Sequence, residues 1–316
     1  KAHAAFAAHK VVLRAGNFPL ALLLRADLFR VVHHVGARVA AEKPVRNVQS
    51  AHLRNAVAAV QKDVGQQLFP LEVVLELLLR LLLAYTTHGF SNDIACFAAW
   101  ADRIFTLGPG QFYSAEMFTD YPPGFMYVLY LIGALRSLLQ IPYYSDLHIL
   151  LLKLPAILCD IACGFLLYRE AVKRLHFSDL QGIFAASAYL FQPAVILNSS
   201  CWGQVDSVYT LMIILMCLFL MKGNLLPAYA VYGLGVLLKP QMLIFTPVLL
   251  AGIWDHVFLQ DFSWRKFFYN LCGGLVVICG MLLLCAPFGL TAAISQYTST
   301  LGSYEYAAIN AYNFWG

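Results

Sequence analysis

The sequence predicts an all-α protein, a polytopic bundle of about seven transmembrane helices with interfacial helices in a long first outer loop. Three observations carry this: sparse charge, recurring apolar runs near bilayer length, and basic loops that fall on one side. Of 316 residues, 60% are hydrophobic and only 12% are charged, with a mean hydropathy of +0.69. A soluble domain carries roughly 25% charged residues. Half that charge cannot coat a globule of this size, whereas lipid-facing helices need no such coat.

A membrane helix needs about 20 predominantly apolar residues. Runs of this kind occupy 69–88, 147–168, 181–197, 207–222, 225–239, 241–257 and 267–287. The 225–239 run is short, but Lys239 can snorkel and Pro240 ends the helix there. A further run, 124–140, is interrupted by Arg136 and flanked by Pro122, Pro123 and Pro142. Orientation follows Lys and Arg in short loops. Arg169 to Arg174, Arg265-Lys266 and Lys222 all lie inside if seven spans are counted with the N-terminus inside. That parity makes 124–140 an interfacial or re-entrant helix within one outer loop, 89–146. The polar residues then gather on one face, as expected of an enzyme with a single reaction chamber at the membrane surface. A transporter would place them at mid-bilayer in broken helices of repeated halves.

Residues 1–68 differ from the rest, with a net charge of about +7 against about −3 for 69–316. They hold no apolar run that spans a bilayer. They read as an atypical N-terminal extension, disordered or artefactual, and 69–316 as the membrane module, truncated at its C-terminus. Most of the eight cysteines lie in apolar runs, where they act as small apolar side chains. Only Cys96 and Cys201 fall in expected loops, and a disulfide between them is an option the reading does not favour.

Four segments carry candidate chemistry. Ser91-Asn92-Asp93 precedes an amphipathic stretch, Ile94 to Leu107. Ser91 or Asn92 suits a helix cap and Asp93 its first turn; equally, Asp93 is a carboxylate at the lipid–water boundary, able to act as a general base toward a hydroxyl. Asp120-Tyr121-Pro122-Pro123-Gly124 is a helix-start signal, with Tyr121 able to stack on a ring and Asp120 either capping or binding an acceptor. Asn198 through Ser207 packs Trp202, Gln204 and Asp206 between two apolar runs and offers stacking together with hydrogen bonding. Lys239-Pro240-Gln241 places a lone cation in an apolar neighbourhood, where it either snorkels or counters a phosphate with help from Gln241. Within the spans, Lys153 and Asp160 share a helical face and Glu76 and Arg80 form an i,i+4 pair. Both are read as structural partners inside the bundle.

These segments, in this order, resemble the GT-C class of integral membrane glycosyltransferases, and among them bacterial mannosyltransferase-like proteins related to the second mannosyltransferase of GPI-anchor synthesis. The resemblance covers about 69–316. It rests on Asp93, Asp120 through Gly124, Lys153-Leu154-Pro155 with Asp160, Pro193 through Asn198, Trp202 through Ser207, Lys239-Pro240-Gln241 and Asn310 through Gly316. It implies inverting transfer of a hexose from a polyprenyl-phosphate donor to a hydroxyl on the non-cytoplasmic face. In this picture Asp93 is the base, Lys239 and Gln241 hold the lipid phosphate, and Asp120, Tyr121, Asn198, Trp202, Gln204, Asp206 and Asn313 shape the substrate site. It further implies no metal and no cofactor beyond the lipid-linked sugar itself, a glycan or glycolipid acceptor, membrane lipid but no nucleic acid as partner, and a multi-pass location in a bacterial plasma membrane. The alternative is a transporter or flippase of lipid-linked sugars, with Asp160 and Lys153 as a coupling pair.

Overall fold

The computed structural model describes residues 47–113, 118–260 and 262–302, and all regular structure among them is helical. Contacts divide the chain between Val64 and Gly65, and the architecture below is that of the unit beginning at Gly65. The first described helix, α1 (Asn47–Thr86), starts well before the expected boundary at 69 and carries Pro70 in its interior.

After α1 come α2 (Ser91–Leu107) and α3 (Pro123–Leu138). In α2 the residues Ile94, Phe97, Ala98, Ala101 and Ile104 recur at helical spacing and are buried together. This face packs on Phe125, Met126 and Leu129 of α3 and on Leu152 beyond, forming the first core cluster. Pro122 in extended conformation and Pro123 at the first helical position start α3 as the double proline predicts. By contrast, Phe90 rather than Ser91 or Asn92 occupies the N-cap of α2, and no side chain caps it. Asp93 does lie in the first turn, but its carboxylate is engaged elsewhere. Asp120 likewise is not the cap of α3, because Pro122 takes that place.

The bundle continues with α4 (Asp146–Lys173), capped by Ser145 and containing Pro155, and α5 (Asp179–Leu190), which opens with a capping box between Ser178 and Gln181. A single turn, α6 (Pro193–Ile196), runs directly into a π-helix over Leu197–Trp202. Then follow α7 (Asp206–Met221), α8 (Leu225–Leu238), a 3-10 segment Pro240–Phe245 leading into α9 (Thr246–Trp254), α10 (Trp264–Cys285) and α11 (Leu290–Gly302). Met216, Tyr229, Val236, Met242 and Leu249 of this second half form a separate core cluster.

Among the described residues, three helical stretches are long and apolar enough to cross a membrane: Asp146–Lys173, Pro240–Leu259 and Trp264–Phe288. A fourth is gained if Asp179–Leu190 and Pro193–Trp202, bent by 52° at their junction, count as one span. The helices α7 and α8 have 16 and 14 residues, about 24 and 21 Å of rise. Each falls short of the roughly 30 Å of a hydrocarbon core. The apolar runs 207–222 and 225–239 are therefore helical as expected but stop early, at the turn through Gly223 and at Lys239-Pro240. Most of the 69–88 run lies within α1, where Glu72, Glu76 and Arg80 turn to the buried side and break the apolar sequence. The 124–140 run forms a 16-residue helix, also below spanning length.

Outward faces of the long helices are apolar. Leu275, Val276, Ile278 and Leu283 of α10 are all exposed, and no residue of that helix is buried. Such apolar faces are compatible with a lipid environment.

Candidate functional site

Polar side chains converge where the α1–α2 turn, the segment before α3, the π-helix and the α8–α9 corner meet. The π-helix has a wider turn that leaves backbone groups out of the usual ladder, a feature frequent at functional sites. It ends at Gly203, whose φ of +89° lies in the left-handed region. A Cβ there would come within 2.6 Å of the Ile94 side chain, so glycine is required both for the turn and for the approach to α2. The turn aims Trp202 and Gln204 at the N-terminus of α2.

There both side chains donate to one oxygen of Asp93. Trp202 Nε1 lies 3.0 Å from Oδ2, and Gln204 Nε2 also donates to Oδ2. The other oxygen, Oδ1, makes no hydrogen bond among the described residues, and the side chain is half-buried. The backbone N–H of Phe90 donates to the Trp202 carbonyl at 2.9 Å, and the Phe90 and Trp202 rings lie 5.0 Å apart. Asp93 is thus a carboxylate oriented through one of its two oxygens.

Next to it lies an ion pair. Asp206, in the first turn of α7, accepts from Lys239 Nζ through Oδ1 and from Asn198 Nδ2 through Oδ2, the latter at 2.9 Å. Lys239 is the extended residue that ends α8, and its ammonium sits 5.7 Å from the ring centroids of both Tyr121 and Tyr209. Tyr121 reaches it because α3 starts hard against the end of α8. A Cβ on Gly124 would come within 2.5 Å of the Leu237 carbonyl oxygen, so only glycine permits that approach. The segment before α3 is pinned from three sides. Tyr113 donates to the Tyr121 carbonyl at 3.0 Å, Trp100 Nε1 to the Phe118 carbonyl at 2.9 Å, and Gln296 of α11 to the Thr119 carbonyl. Burial pushes the thiol of Cys96 up, and the charges of Asp120 and Asp93 push it further, so both carboxylates act on the same small region.

The structure therefore brings together Asp93, Trp202 and Gln204 in one group, and Tyr121, Asn198, Asp206 and Lys239 in a second beside it. Asp120 stands half-buried at the end of the pinned segment. Gln241 is exposed and makes no hydrogen bond among the described residues. Asn313 lies outside the described residues, as do Glu116, Glu305 and Asn310. Cys96 and Cys201 are both free thiols. Among the described residues no three His, Cys, Asp or Glu side chains converge to hold a metal ion. Two buried amide oxygens beside the site, Asn198 Oδ1 and Gln204 Oε1, have no hydrogen-bond partner among the described residues.

Tyr209 is a member that the sequence reading missed. It lies one helical turn after Asp206, on the same face, and that spacing was the available signal. The expected Lys153–Asp160 pair does not form, whereas the Glu76–Arg80 pair does. Arg80 pairs with Glu76 at 3.2 Å as expected, but it also bridges to Asp160 at 3.0 Å, with all three side chains fully buried. It further donates to Ser199 Oγ and the Leu190 carbonyl, while Tyr189 donates to Asp160. Asp160 is thereby committed to α1, and Lys153 is bound elsewhere, so the two do not pair.

No family model matches the sequence, and no curated protein matches it either.

Proposed function

We propose that the protein is a membrane glycosyltransferase of the GT-C kind, moving a hexose from a polyprenyl-phosphate donor to an acceptor hydroxyl with inversion. The observation that carries this reading is Asp93, held through Oδ2 by Trp202 and Gln204 with Oδ1 open. A single displacement needs one base. As the acceptor oxygen forms its bond to the anomeric carbon, its proton passes to Asp93 Oδ1, and the bond to the lipid phosphate breaks. Lys239 lies in the adjacent group and retains donors beyond the one given to Asp206, so its ammonium can meet the phosphate charge that develops on the leaving group. Trp202, half-exposed, and Tyr121 offer faces for a sugar ring. A lipid-linked donor suits a site carried on apolar helices, and the charges of Arg169 to Arg174 and Arg265-Lys266 favour the non-cytoplasmic side of a bacterial plasma membrane.

The test is Asp93→Asn in proteoliposomes supplied with radiolabelled polyprenyl-phosphate mannose and a lipid extract as acceptor pool. Asparagine keeps an oxygen for Trp202 and Gln204 while losing basicity. Transfer should fall on the order of 10²- to 10⁴-fold, the usual worth of a general base, with donor binding retained. Wild-type protein that transfers no sugar but moves the intact lipid between leaflets would assign transport instead.

A further inference from the structure

Lys153 is fully buried in the interior of α4, and it has no carboxylate partner among the described residues. Five oxygens surround its ammonium instead. They are the carbonyls of Ala84 at 3.2 Å and Thr87 at 2.7 Å, the Thr87 hydroxyl at 3.1 Å, and the carbonyls of Ser200 at 3.0 Å and Cys201 at 3.3 Å. Two helix ends meet here. Ala84 and Thr87 close α1, and Ser200 and Cys201 close the π-helix.

Final carbonyls of a helix have no partner within it, and each such end carries roughly half a negative charge. Two ends facing one another in an apolar interior would repel and leave their carbonyls unsatisfied. One ammonium matches the pair in charge and supplies the missing donors. Charge balance thus explains a buried lysine without an acid.

What the staple holds is specific. The chain leaving the first end reaches Asp93 within one turn of α2. The chain leaving the second end carries Trp202 and Gln204, which bind Asp93. The Thr87 hydroxyl also reaches the Ser200 and Cys201 carbonyls, at 3.3 and 3.4 Å. The next carbonyl, that of Trp202, accepts from the Phe90 N–H at 2.9 Å, so three successive carbonyls of the π-helix end meet the α1–α2 junction beside the Lys153 ammonium. Gly203, immediately after, lies against the Lys153 side chain.

We propose that Lys153 is a positioning residue for the Asp93 site: its ammonium clamps the two helix ends so that Trp202 and Gln204 reach one oxygen of Asp93. As a role in transfer, this rests on the glycosyltransferase reading; as a statement about site geometry, it does not.

The test separates the two. Full-length protein labelled with 5-fluorotryptophan is placed in nanodiscs, and the Trp202 resonance is assigned by its loss in Trp202→Phe. In Lys153→Ala, whose missing atoms correspond to propylammonium, the Trp202 fluorine signal should shift or broaden while those of Trp254 and Trp264 stay in place. Added n-propylammonium should restore it, and n-propanol should not. In the same samples sugar transfer should fall through kcat on the order of 10²-fold, the effect of a misplacement of about 1 Å, with donor KM little changed. An unmoved Trp202 signal alongside a lowered melting temperature would overturn the proposal and leave Lys153 a plain structural strut. Should the alanine variant fail to fold, Lys153→Arg serves in its place. The planar guanidinium cannot occupy the same oxygen cage, and an unmoved Trp202 signal there would be equally fatal. A wild-type protein without transferase activity whose Trp202 signal still depends on Lys153 would reject the glycosyltransferase reading and keep the clamp.

Discussion

Two charged groups in this protein use the same residue types to opposite ends. Around Arg80, every side chain is sealed. Arg80, Glu76 and Asp160 have no exposed surface, and the guanidinium spends its donors on two carboxylates, a serine hydroxyl and a backbone carbonyl. Around Lys239, the carboxylate of Asp206 is 36% exposed, and the neighbouring half-buried Asp93 has one oxygen without a hydrogen bond among the described residues. The first arrangement leaves no room for a ligand and joins α1, α4 and the α5–α6 corner. The second presents donors and acceptors toward solvent. Intramembrane charge is a functional candidate by default, yet here the most deeply buried charges are the structural ones. What separates them is access: Glu76 Oε1 is without a partner among the described residues too, but it is fully buried, whereas Asp206 meets water.

Removing Arg80 should break the comparison at its sealed end. Arg80→Met would leave two buried carboxylates without their cation. Breaking a buried pair in this way costs about 3–5 kcal/mol. Denaturation in detergent should show that loss, while transfer per folded molecule stays near wild type. Normal stability with transfer abolished would reverse the assignment and make the Arg80 group the working one.

At the open end, Lys239→Met should do the converse. The methionine stem preserves the packing between Tyr121 and Tyr209, and Asp206 keeps its bond from Asn198. Loss of one preorganised charge at a developing oxyanion costs on the order of 10²- to 10³-fold in kcat. Stability should move far less than in Arg80→Met, since Asp206 is open to water and needs no cation to be solvated. Equal losses of stability in the two variants would show that Lys239 is also a structural tie.

Local pattern made much of this legible. The proline pair before α3 and the spacing of apolar residues in α2 announced their helices, and Trp202-Gly203-Gln204 with Asp206 pointed to a polar cluster that the structure does bring together. What stayed hidden was partner choice across helices. The sequence places Lys153 and Asp160 on one face of α4, which suggests a pair, but that face meets α1 at Thr87 near one residue and at Arg80 near the other. Each residue finds a partner on α1 or the π-helix rather than on its own helix. Span length was hidden for another reason. Hydrophobicity continues through 225–239, but Lys239 adopts an extended conformation and Pro240 cannot donate, so the helix ends on backbone chemistry that an apolar run does not record. The π-helix also left no trace in the apolar pattern, though the left-handed Gly203 that closes it is the kind of residue such a turn demands.

The smallest expected effect sharpens the comparison within the site itself. Trp202 contributes two separable things, an indole N–H to Asp93 and a face for a ring. Trp202→Phe keeps an aromatic face beside Phe90 and removes only the N–H, while Gln204 still donates to the same oxygen. A hydrogen bond to a charged group is worth about 1.5–3 kcal/mol when buried, but Trp202 is half-exposed and water can replace it, so about 1 kcal/mol is expected. Transfer should fall about fivefold through kcat, with little change in donor KM. A Trp202→Ala variant removes the face as well and should raise KM. Should the two variants behave alike, the ring takes no part in binding, and Trp202 serves only to aim Asp93.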